Sequence, residues 1–446
     1  MKYASVAKRL KAYQKRWQTT LRWIEFGGAA AAALYSSLRI ARAFPRPAGT
    51  VVGVAVSVYA LFGVGFQTYT RHREDHTFHP LYSRAVVLSG LYVAFMTYHF
   101  CALLVCDLLY LFLHRVPGAP PRDAFSMAAA VAALLIVAHG YRRVHRIRII
   151  PVRLRCAKLN RRFPYRIVHL SDLHIGAAIS GKHLGEMVRK VNLCHPDLIV
   201  ITGDILNHGG TYEVQDQEEV ESVLKEMQAC DGVYGVLGNH DTETPDPNIH
   251  QFFSKCGIHM IDNQAAENDT VTLIGRTGIL LSGGRVSLQR LMEHVNREKP
   301  VIVLDHDPKG IREASQCGAD LVLCGHTHAG QFFPCTVFTQ ILYGKTGSHG
   351  VGQLGKTMSV VSAGTGYFQT PVRIGTDNEI ICIDLEKGSG GAGKDGPEGE
   401  QPHGVQDAED GDADIGEYSG PHSGEAGRAE DKDQHLDREG KDNILL

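Results

Sequence analysis

The chain has 446 residues, enough for two or three domains, and its formal net charge is only −2 at pH 7. Because 46 Lys and Arg nearly balance 48 Asp and Glu, bulk charge identifies no partner, and we expect no nucleic-acid ligand. The ten cysteines contain no Cys-x-x-Cys pair. This spacing excludes both a disulfide framework and a zinc–thiolate site, so we expect reduced thiols.

The first part of the chain is basic and then strongly apolar. Residues 1–22 carry seven basic side chains and no acidic one, and we expect a cytoplasmic N-terminus there. Region 23–141 is predicted to form three to four transmembrane helices, because its apolar runs approach the ~20 residues that cross a bilayer. The runs are Ala48–Tyr69, Ala85–Cys106 and Ala124–Tyr141, with a weaker one over Trp23–Phe44. A buried core helix is the alternative for each run, but three in succession favour membrane spans.

Basic residues also follow the last apolar run, in segment 142–163, which we expect to be a juxtamembrane linker. The positive-inside rule places both basic segments on the cytoplasmic side, which requires an even number of spans. The sequence therefore predicts a multi-pass membrane protein whose next domain faces the cytoplasm. A cleaved secretory leader is not expected, because no small-residue cleavage site follows the first run. Binding of anionic lipid headgroups explains the basic linker equally well.

Region 164–386 has the pattern of an α/β domain. Short apolar runs alternate with helical periodicity, which predicts buried sheets flanked by helices. The strand-like runs are 166–172, 198–204, 233–239, 301–307, 321–327, 359–366 and 380–385. Helical patterns occur over 182–194 and 216–229, and the second contains an apolar stripe formed by Val220, Val223, Leu224 and Met227.

The last segment, 387–446, differs from the rest in composition. It has 16 acidic and 6 basic residues and almost no aromatic or β-branched side chains. Such a segment has too little apolar surface to form a core, so we expect a disordered acidic tail. It is a candidate site for binding an unknown protein, although a simple solvated tail is the plainer interpretation.

Five of the strand-like runs end in side chains that bind metal ions. These are Asp172 and His174, then Asp204, Asn239, His306, and finally His326 and His328 in "CGHTHAGQ". Since the carboxyl ends of strands in an α/β sheet line one crevice, these side chains should converge. A lone His-x-His would favour two solvated loop histidines, but five strand ends together favour a metal site.

The composition of this ligand set indicates which metal ions would be bound and how many. Mixed imidazole and oxygen ligands suit Mn, Fe, Zn, Co or Ni better than Mg or Ca. Seven protein ligands are too many for one ion and suit two ions bridged by a carboxylate. Two divalent ions in that arrangement form the clamp that is used on phosphate esters.

The order Asp-x-His, Gly-Asp, Gly-Asn-His-Asp, His, Gly-His-x-His is similar to that of the calcineurin-like metallophosphoesterase superfamily. The stretches "SDLHIG", "GNHD", "GHTHAGQ" and "SAGTGYFQTPVRIG" resemble its membrane-associated branch, which includes transmembrane proteins with a metallophosphoesterase domain and bacterial relatives. The resemblance covers about 160–385. It implies an α/β metallophosphoesterase β-sandwich flanked by helices, here preceded by an all-α transmembrane region.

The resemblance also implies a role for each site residue. Asp172, His174 and His328 would bind one ion and Asn239, His306 and His326 the other, with Asp204 as the bridge. A hydroxide between the ions would attack phosphorus in line. His240 would contact the phosphoryl oxygen or protonate the leaving group, and Asp241 would hold His240 in its working tautomer. Gly203, Gly238 and Gly325 should allow the ligand loops to approach closely.

The chain departs from the family pattern in two places. Asn207 follows "GDIL", where relatives commonly carry an acid, and Arg276 and Thr277 replace part of a common Gly-x-Asp-Asp turn. Neither position is a metal ligand. We therefore expect these departures to affect substrate choice or loop stability and to leave the ligand set complete.

The sequence predicts a membrane-anchored, metal-dependent phosphoesterase, and leaves monoester, diester and pyrophosphate substrates open. A lipid-linked substrate fits because only segment 142–163 separates the domain from the bilayer. Some relatives cleave the pyrophosphate of a diacylated nucleotide sugar, a UDP-diacylglucosamine-like lipid. The alternative is a membrane scaffold or sensor with a structural metal site and a partner-binding tail. The intact His240–Asp241 pair favours the enzyme.

Overall fold

The structure is a computed structural model. It describes residues 30–70, 80–118, 121–179, 181–207, 210–211, 214, 216–242, 246–278 and 285–388. The expected basic N-terminus, the start of the weak apolar run Trp23–Phe44 and nearly all of the acidic tail lie outside the described residues.

The N-terminal part is helical. Its helices are α1 over 30–42, α2 Ala48–Thr70, α3 Pro80–Leu113 and α4 Arg122–Val144. Among the described residues, two helices are long and apolar enough to cross a membrane, namely Leu81–Leu113 within α3, and α4. The expectation of three to four spans is corrected to two candidate spans. The described part of α1 is short and contains Arg39, and in α2 the apolar stretch counted among the described side chains is Ala48–Tyr59.

Two six-stranded sheets form the domain that follows. The strands are β1 Ile147–Cys156, β2 Tyr165–Leu170, β3 Leu198–Thr202, β4 Val233–Val236, β5 Ile258–Met260, β6 Ala265–Glu267, β7 Thr272–Arg276, β8 Val301–Asp305, β9 Leu321–Cys324, β10 Gly350–Leu354, β11 Thr357–Val361 and β12 Asn378–Lys387. The first sheet has the order β1-β12-β2-β3-β4-β5, and the second has β10-β11-β9-β8-β7-β6. Val200 from the first sheet shares one buried apolar cluster with Leu304 and Leu323 from the second, so the sheets pack face to face.

Helices cover the outer faces of both sheets. They are α5 Gly181–Leu193, α6 Gln217–Lys225, α7 Ile249–Lys255, α8 Leu288–Leu291, α9 Ile311–Cys317 and α11 Lys345–Ser348. Helix α10, Cys335–Tyr343, follows the loop after β9 and has no buried residue. On the first sheet, Met187 of α5 and Leu224 of α6 join the cluster that contains Ile199. On the second, Leu288 and Ala314 pack with strands β8 and β9. The mixed α/β sheets with flanking helices are consistent with the expected metallophosphoesterase fold.

Part of the segment expected to be a linker is a strand. Helix α4 ends at Val144, and β1 begins at Ile147 and pairs in parallel with β12 along its full length. In β1, Val152 and Leu154 are buried while the arginines between and after them are exposed. This alternation has the period of a half-buried strand, and the basic residues occupy its outer face.

Helices α3 and α4 pack directly against the loop that joins β11 to β12. Val372 in this loop is buried with Tyr98 of α3 and Val137 of α4. The Arg373 N–H donates a hydrogen bond of 3.1 Å to the Gly140 carbonyl of α4. A Cβ added at Gly140 would lie 2.7 Å from Ile374, so the absence of a side chain permits this close approach. The same loop reaches the strand ends of the sandwich.

Candidate metal centre

The polar ends of β2, β3, β8 and β9 lie at one edge of the sandwich, where their side chains form two groups. Asp172, His174 and His328 form the His174 group, and Asp204, His306 and His326 form the His306 group. Within each group the candidate ligand atoms all lie within 4.8 Å of one another. Five of these six residues are buried, and His326 is partly buried. The structure thus brings together six of the seven residues to which the resemblance assigned a metal-binding role.

Distances between ligand atoms fit a bound ion in each group. His174 Nε2 lies 3.0 Å from His328 Nε2, and His306 Nε2 lies 3.1 Å from Asp204 Oδ2. Asn239 Oδ1, the seventh expected ligand, is 3.1 Å from His306 Nε2. Neighbouring donors in an octahedron with bonds of about 2.1 Å are roughly 3 Å apart. With nitrogen and oxygen donors at this spacing, the residues fit a transition-metal ion in each group.

Asp204 lies close to both groups. Burial raises the pKa of Asp204, but the positive charges of His306, His240 and His174 lower it well below its usual range. The groups are also linked through the backbone, because the His326 N–H donates to Asp172 Oδ2 over 3.0 Å. This position suits the bridging role expected for Asp204, which stays a prediction.

The backbone at the ligands is unusual. Five of the seven expected ligands have φ between 48° and 70°, a region that residues other than glycine rarely adopt: Asp172, His174, Asp204, His326 and His328. Such conformations cost roughly 1–3 kcal/mol each and persist only where the surrounding structure enforces them. The rest of the fold therefore has to stabilise these five backbone conformations, and it thereby fixes the positions of the five side chains.

Two of the expected glycines are explained by close approach of neighbouring loops. A Cβ added at Gly238 would lie 2.1 Å from Asp204 Oδ1. One added at Gly325 would lie 1.7 Å from Ser171 Oγ and 2.3 Å from Asp172 Oδ2. Any side chain at either position would displace a carboxylate of the site.

The ring of His306 is fixed by the first sheet. Its Nδ1 lies 2.7 Å from the Thr202 carbonyl oxygen, which assigns the proton to Nδ1 and leaves Nε2 to bind metal. Burial lowers the pKa of His306, but the Asp204 and Asp172 carboxylates raise it to about 10. Without an ion, a proton on His306 compensates the carboxylates, and an ion has to displace that proton.

Arg373 is a supporting residue whose role the sequence pattern does not reveal. Its guanidinium is fully buried and donates to the carbonyl oxygens of Ala363 and Gly366, both over 2.7 Å, and of His328 over 3.0 Å. Burial lowers the pKa of Arg373 to about 10, although Glu379 and Asp172 act in the opposite direction. Arg373 thus joins the loop after β9 to the loop after β11. Its only signal in the sequence is a charged residue inside the motif "TPVRIG".

An aromatic wall borders the His174 group. The ring centroid of Phe368 lies 4.5 Å from that of His240 and 5.1 Å from that of His174. The side chain of Gln331 fixes this wall, since it donates to the Phe368 carbonyl and accepts from the Phe368 N–H. The His240 N–H in turn donates to Asp204 Oδ1 over 2.8 Å. His240 therefore lies beside both ligand groups, with its ring against an apolar surface.

Asp241 ties together the loops that follow β3 and β4. Its carboxylate accepts the backbone N–H groups of Leu206 at 2.7 Å, Gly238 at 2.8 Å and Ile205 at 3.2 Å. Burial and the nearby Asp204 charge raise the pKa of Asp241 to about 7. These contacts give Asp241 a positioning function, and its expected action on the His240 ring stays a prediction.

The two departures from the family pattern have structural partners. Arg276 at the end of β7 is buried and pairs with Glu313 of α9 over 2.7 Å. The Asn207 N–H donates to the Ile175 carbonyl over 3.1 Å. Both positions therefore contact segments near the site, and neither contributes to the two ligand groups. Their effect on substrate choice or loop stability stays a prediction.

Comparisons with known proteins agree with this geometry. Residues 165–330 match the family model described as calcineurin-like phosphoesterase, which confirms the resemblance seen in the motifs. A "Transmembrane protein with metallophosphoesterase domain" of Danio rerio is 31% identical over 238 residues, covering 50% of this chain and 53% of that protein. An uncharacterized metallophosphoesterase of Campylobacter jejuni is 30% identical, covering 50% and 59%. One of Aquifex aeolicus is 28% identical, covering 58% and 98%.

The first two matches cover only part of each relative. The chain spans little more than half the length of the first two relatives. Relatives that are named transmembrane proteins, together with the two candidate spans, support association with a membrane. The family is one of metal-dependent phosphoesterases, and the two ligand groups lie at the ends of strands within or next to the matched region.

Proposed function

We propose that this calcineurin-like phosphoesterase domain is a membrane-anchored hydrolase that uses two divalent metal ions to cleave a phosphoester. The observation that carries the proposal is the pair of adjacent ligand groups, each with donor atoms within 4.8 Å. Their nitrogen and oxygen donors suit Mn, Fe, Zn, Co or Ni. A merely structural metal site would need neither His240 nor the wall formed by Phe368.

The protein groups around the site have distinct tasks in this reaction. Bound divalent ions neutralise charge on a phosphoryl group and lower the pKa of water towards neutrality. Thr202 and Arg373 hold the ligand loops so that little rearrangement is needed during turnover. His240 is tethered through its backbone to Asp204 and is placed to donate a proton to the departing oxygen.

We further propose that the substrate is an amphipathic phosphoester such as a lipid-linked one. The support is the loop that carries Phe368, because its next residues pack between α3 and α4. The site therefore lies beside the candidate spans. Cleavage of a pyrophosphate in a UDP-diacylglucosamine-like lipid is one reaction of this class. The basic segments 1–22 and 142–163 place the domain on the cytoplasmic face in this proposal.

The test uses the full chain in detergent, because β1 lies N-terminal to residue 164 and completes the first sheet. Loaded with Mn²⁺, the protein should bind two ions and hydrolyse an aryl phosphate ester. His328→Ala should lower kcat/KM by more than the roughly 10–100-fold that changes outside the ligand set cost. The matched control is His259→Ala, since His259 is exposed on β5, outside both ligand groups.

Other results would contradict the proposal. If the wild-type chain binds no ion, or if His328→Ala keeps full activity, the site does not work as described. Two bound ions without turnover on monoester, diester and pyrophosphate substrates would instead support the scaffold interpretation. His240→Ala should keep both ions and lose activity, which separates proton donation from metal binding.

A further inference from the structure

Helix α10 follows the ligand loop of β9 and exposes an unusual amount of apolar surface. None of its residues, Cys335–Tyr343, is buried. The exposed fraction of each large apolar residue is 46% at Val337, 60% at Phe338, 73% at Ile341 and 78% at Leu342, and Phe333, just before the helix, is 53% exposed. Contiguous apolar patches of this kind mark a surface that another phase or partner covers.

The start of α10 is attached to the candidate spans. The hydroxyl of Tyr98 in α3 donates a 2.5 Å hydrogen bond to the Phe333 carbonyl. Phe332 packs into the cluster that contains Ala94 of α3 and Val137 of α4. The apolar patch is therefore continuous with the helices that are long enough to cross a membrane.

The depth of this attachment follows from helix length. About 20 residues span the ~30 Å hydrocarbon core. Counted from the far ends of the helices, 20 residues lead from Leu113 to Ala94 on α3 and from Arg122 to Tyr141 on α4. Tyr98 and Val137 both lie inside these limits. We therefore expect Phe333, which bonds to Tyr98, to lie near the level where the hydrocarbon of the near leaflet begins.

The candidate spans, like α10, expose large apolar side chains. Val105 on α3 and Leu135 on α4 are 59% and 65% exposed. At the other end of α10, the Tyr343 ring lies 6.1 Å from the His326 ring, and Lys309 Nζ lies 5.3 Å from the Tyr343 ring centroid. Tyrosine and lysine at the edge of an apolar patch are typical of the boundary between hydrocarbon and headgroups.

We propose that Phe333–Leu342 inserts its apolar side chains into the leaflet that α3 and α4 enter, so that the metal centre opens beside the bilayer. The proposal rests on the membrane anchoring included in the proposed function. The occupant of the patch is the lipid bilayer, because the patch continues the apolar surface of the spans. An amphipathic phosphoester can then reach the ligands without leaving the headgroup layer, since α10 runs from the His328 loop to the neighbourhood of His326.

The experiment uses full-length protein in which Trp17 and Trp23 are replaced by Phe. A single tryptophan is then introduced as Leu342→Trp on α10, Val105→Trp on α3 or Leu354→Trp on β10. Leu354 is 43% exposed and lies at the end of the second sheet away from the ligand loops. In phosphatidylcholine nanodiscs with brominated acyl chains, the Leu342→Trp and Val105→Trp emissions should be quenched several-fold. The Leu354→Trp emission should be unchanged.

Each other outcome overturns the proposal. If only Val105→Trp is quenched and Leu342→Trp emits like a solvated indole, α10 stays in water. A blue-shifted but unquenched Leu342→Trp means that protein covers the patch, either a second copy or another partner. If Val105→Trp is also unquenched, α3 does not enter the bilayer and the anchoring fails as well. Quenching requires neither metal nor turnover, so these results are independent of whether the chain hydrolyses esters.

Discussion

The two ligand groups of the metal centre share backbone contacts with each other, but each takes further support from a different part of the molecule. The His306 group stands on the sandwich itself, because His306 bonds to the Thr202 carbonyl of β3. The His174 group depends on the loop between β11 and β12. Gly366 N–H donates to the Asp172 carbonyl over 3.0 Å, and Arg373 donates to the His328 carbonyl.

This difference couples one half of the site to the membrane-facing part of the protein. The loop that supports the His174 group is the loop that packs against α3 and α4, through Val372 and the Arg373 N–H. The His306 ring takes its support from β3 instead. Changes that loosen the helix contact should therefore affect the His174 group first.

The largest expected effect comes from Arg373→Met, which should abolish metal binding by the His174 group and leave the His306 group intact. Removing this fully buried cation leaves its carbonyl partners without a donor and removes part of the positive charge that faces Glu379, at a cost of roughly 3–5 kcal/mol in the free energy of unfolding. We expect the variant to bind one Mn²⁺ per chain in place of two. Metal analysis, the electron paramagnetic resonance of Mn²⁺ and thermal unfolding measure these changes.

The control is Arg153→Met, because Arg153 is exposed on β1. Arg373→Lys should lie between wild type and Arg373→Met, since lysine keeps the charge and loses the planar set of donors. Equal loss of both ions from Arg373→Met would show that the two halves are not held independently.

Gly238→Ala should instead disturb metal binding by the His306 group. The new Cβ would lie 2.1 Å from Asp204 Oδ1, so the carboxylate has to move away from His306. Overpacking of this kind costs about 1–3 kcal/mol. The ion of the His306 group should be lost preferentially, and kcat/KM should fall with it.

Gly185→Ala is the matched control for this glycine. Gly185 lies within α5, and an added Cβ meets no atom within 4 Å. The substitution should raise stability by up to about 1 kcal/mol, because alanine favours the helix. A Gly238→Ala protein with two ions and wild-type stability would refute the role given to close approach at this position.

The smallest effect concerns the pH dependence of the loop around His349. Its Nε2 lies 3.1 Å from Glu379 Oε1, and Glu379 also accepts the Ala363 N–H of the loop that supports the His174 group. Burial lowers the pKa of His349, but the Glu379 carboxylate raises it overall. The stabilisation is thus complete below the unfolded pKa of about 6.5 and is lost as pH rises through the folded value.

The His349 side chain is 43% exposed, so solvent screens the pair and we expect only roughly 0.2–1 kcal/mol. The difference in Tm between wild type and His349→Gln should shrink as pH rises from 6 to 9. His259→Gln, on the exposed strand β5, should show no such trend. A constant difference over this range would mean that charge on His349 does not contribute.

The ligand positions can be inferred from the sequence because of a local rule. Each buried strand is an apolar run, and the polar residue that ends it is visible without knowledge of the fold. The rule that parallel strands end at one edge places the ligands after β2 and β3 together, and likewise those after β8 and β9. That Asp204 meets His306 depends in addition on the face-to-face packing of the two sheets. Helix α6 can also be predicted from the sequence, since Val220 and Leu224 form an apolar stripe with helical period. Both residues are buried in the structure.

The remaining features depend on contacts between distant segments. Arg373 is invisible as a support because its partners Ala363, Gly366 and His328 form a pocket only after the two loops meet. Strand β1 is not predicted from the sequence, because its arginines resemble the basic residues that flank membrane spans. Its pairing partner β12 is also far away in the chain. Counting apolar runs gives three to four spans, whereas among the described residues two helices have the length and composition of a span.

The parallel pairing of β1 with β12 has a consequence for synthesis of the chain. Ile147 pairs with Asn378, about 230 residues later, which at ribosomal rates of about 5–20 residues per second is a delay of roughly 10–50 s. During that time β1 has no neighbour on either edge. Its exposed arginines at 153 and 155 repel other nascent chains, as charges on a bare strand do. We therefore expect these basic residues to disfavour aggregation of the newly made chain until β12 arrives.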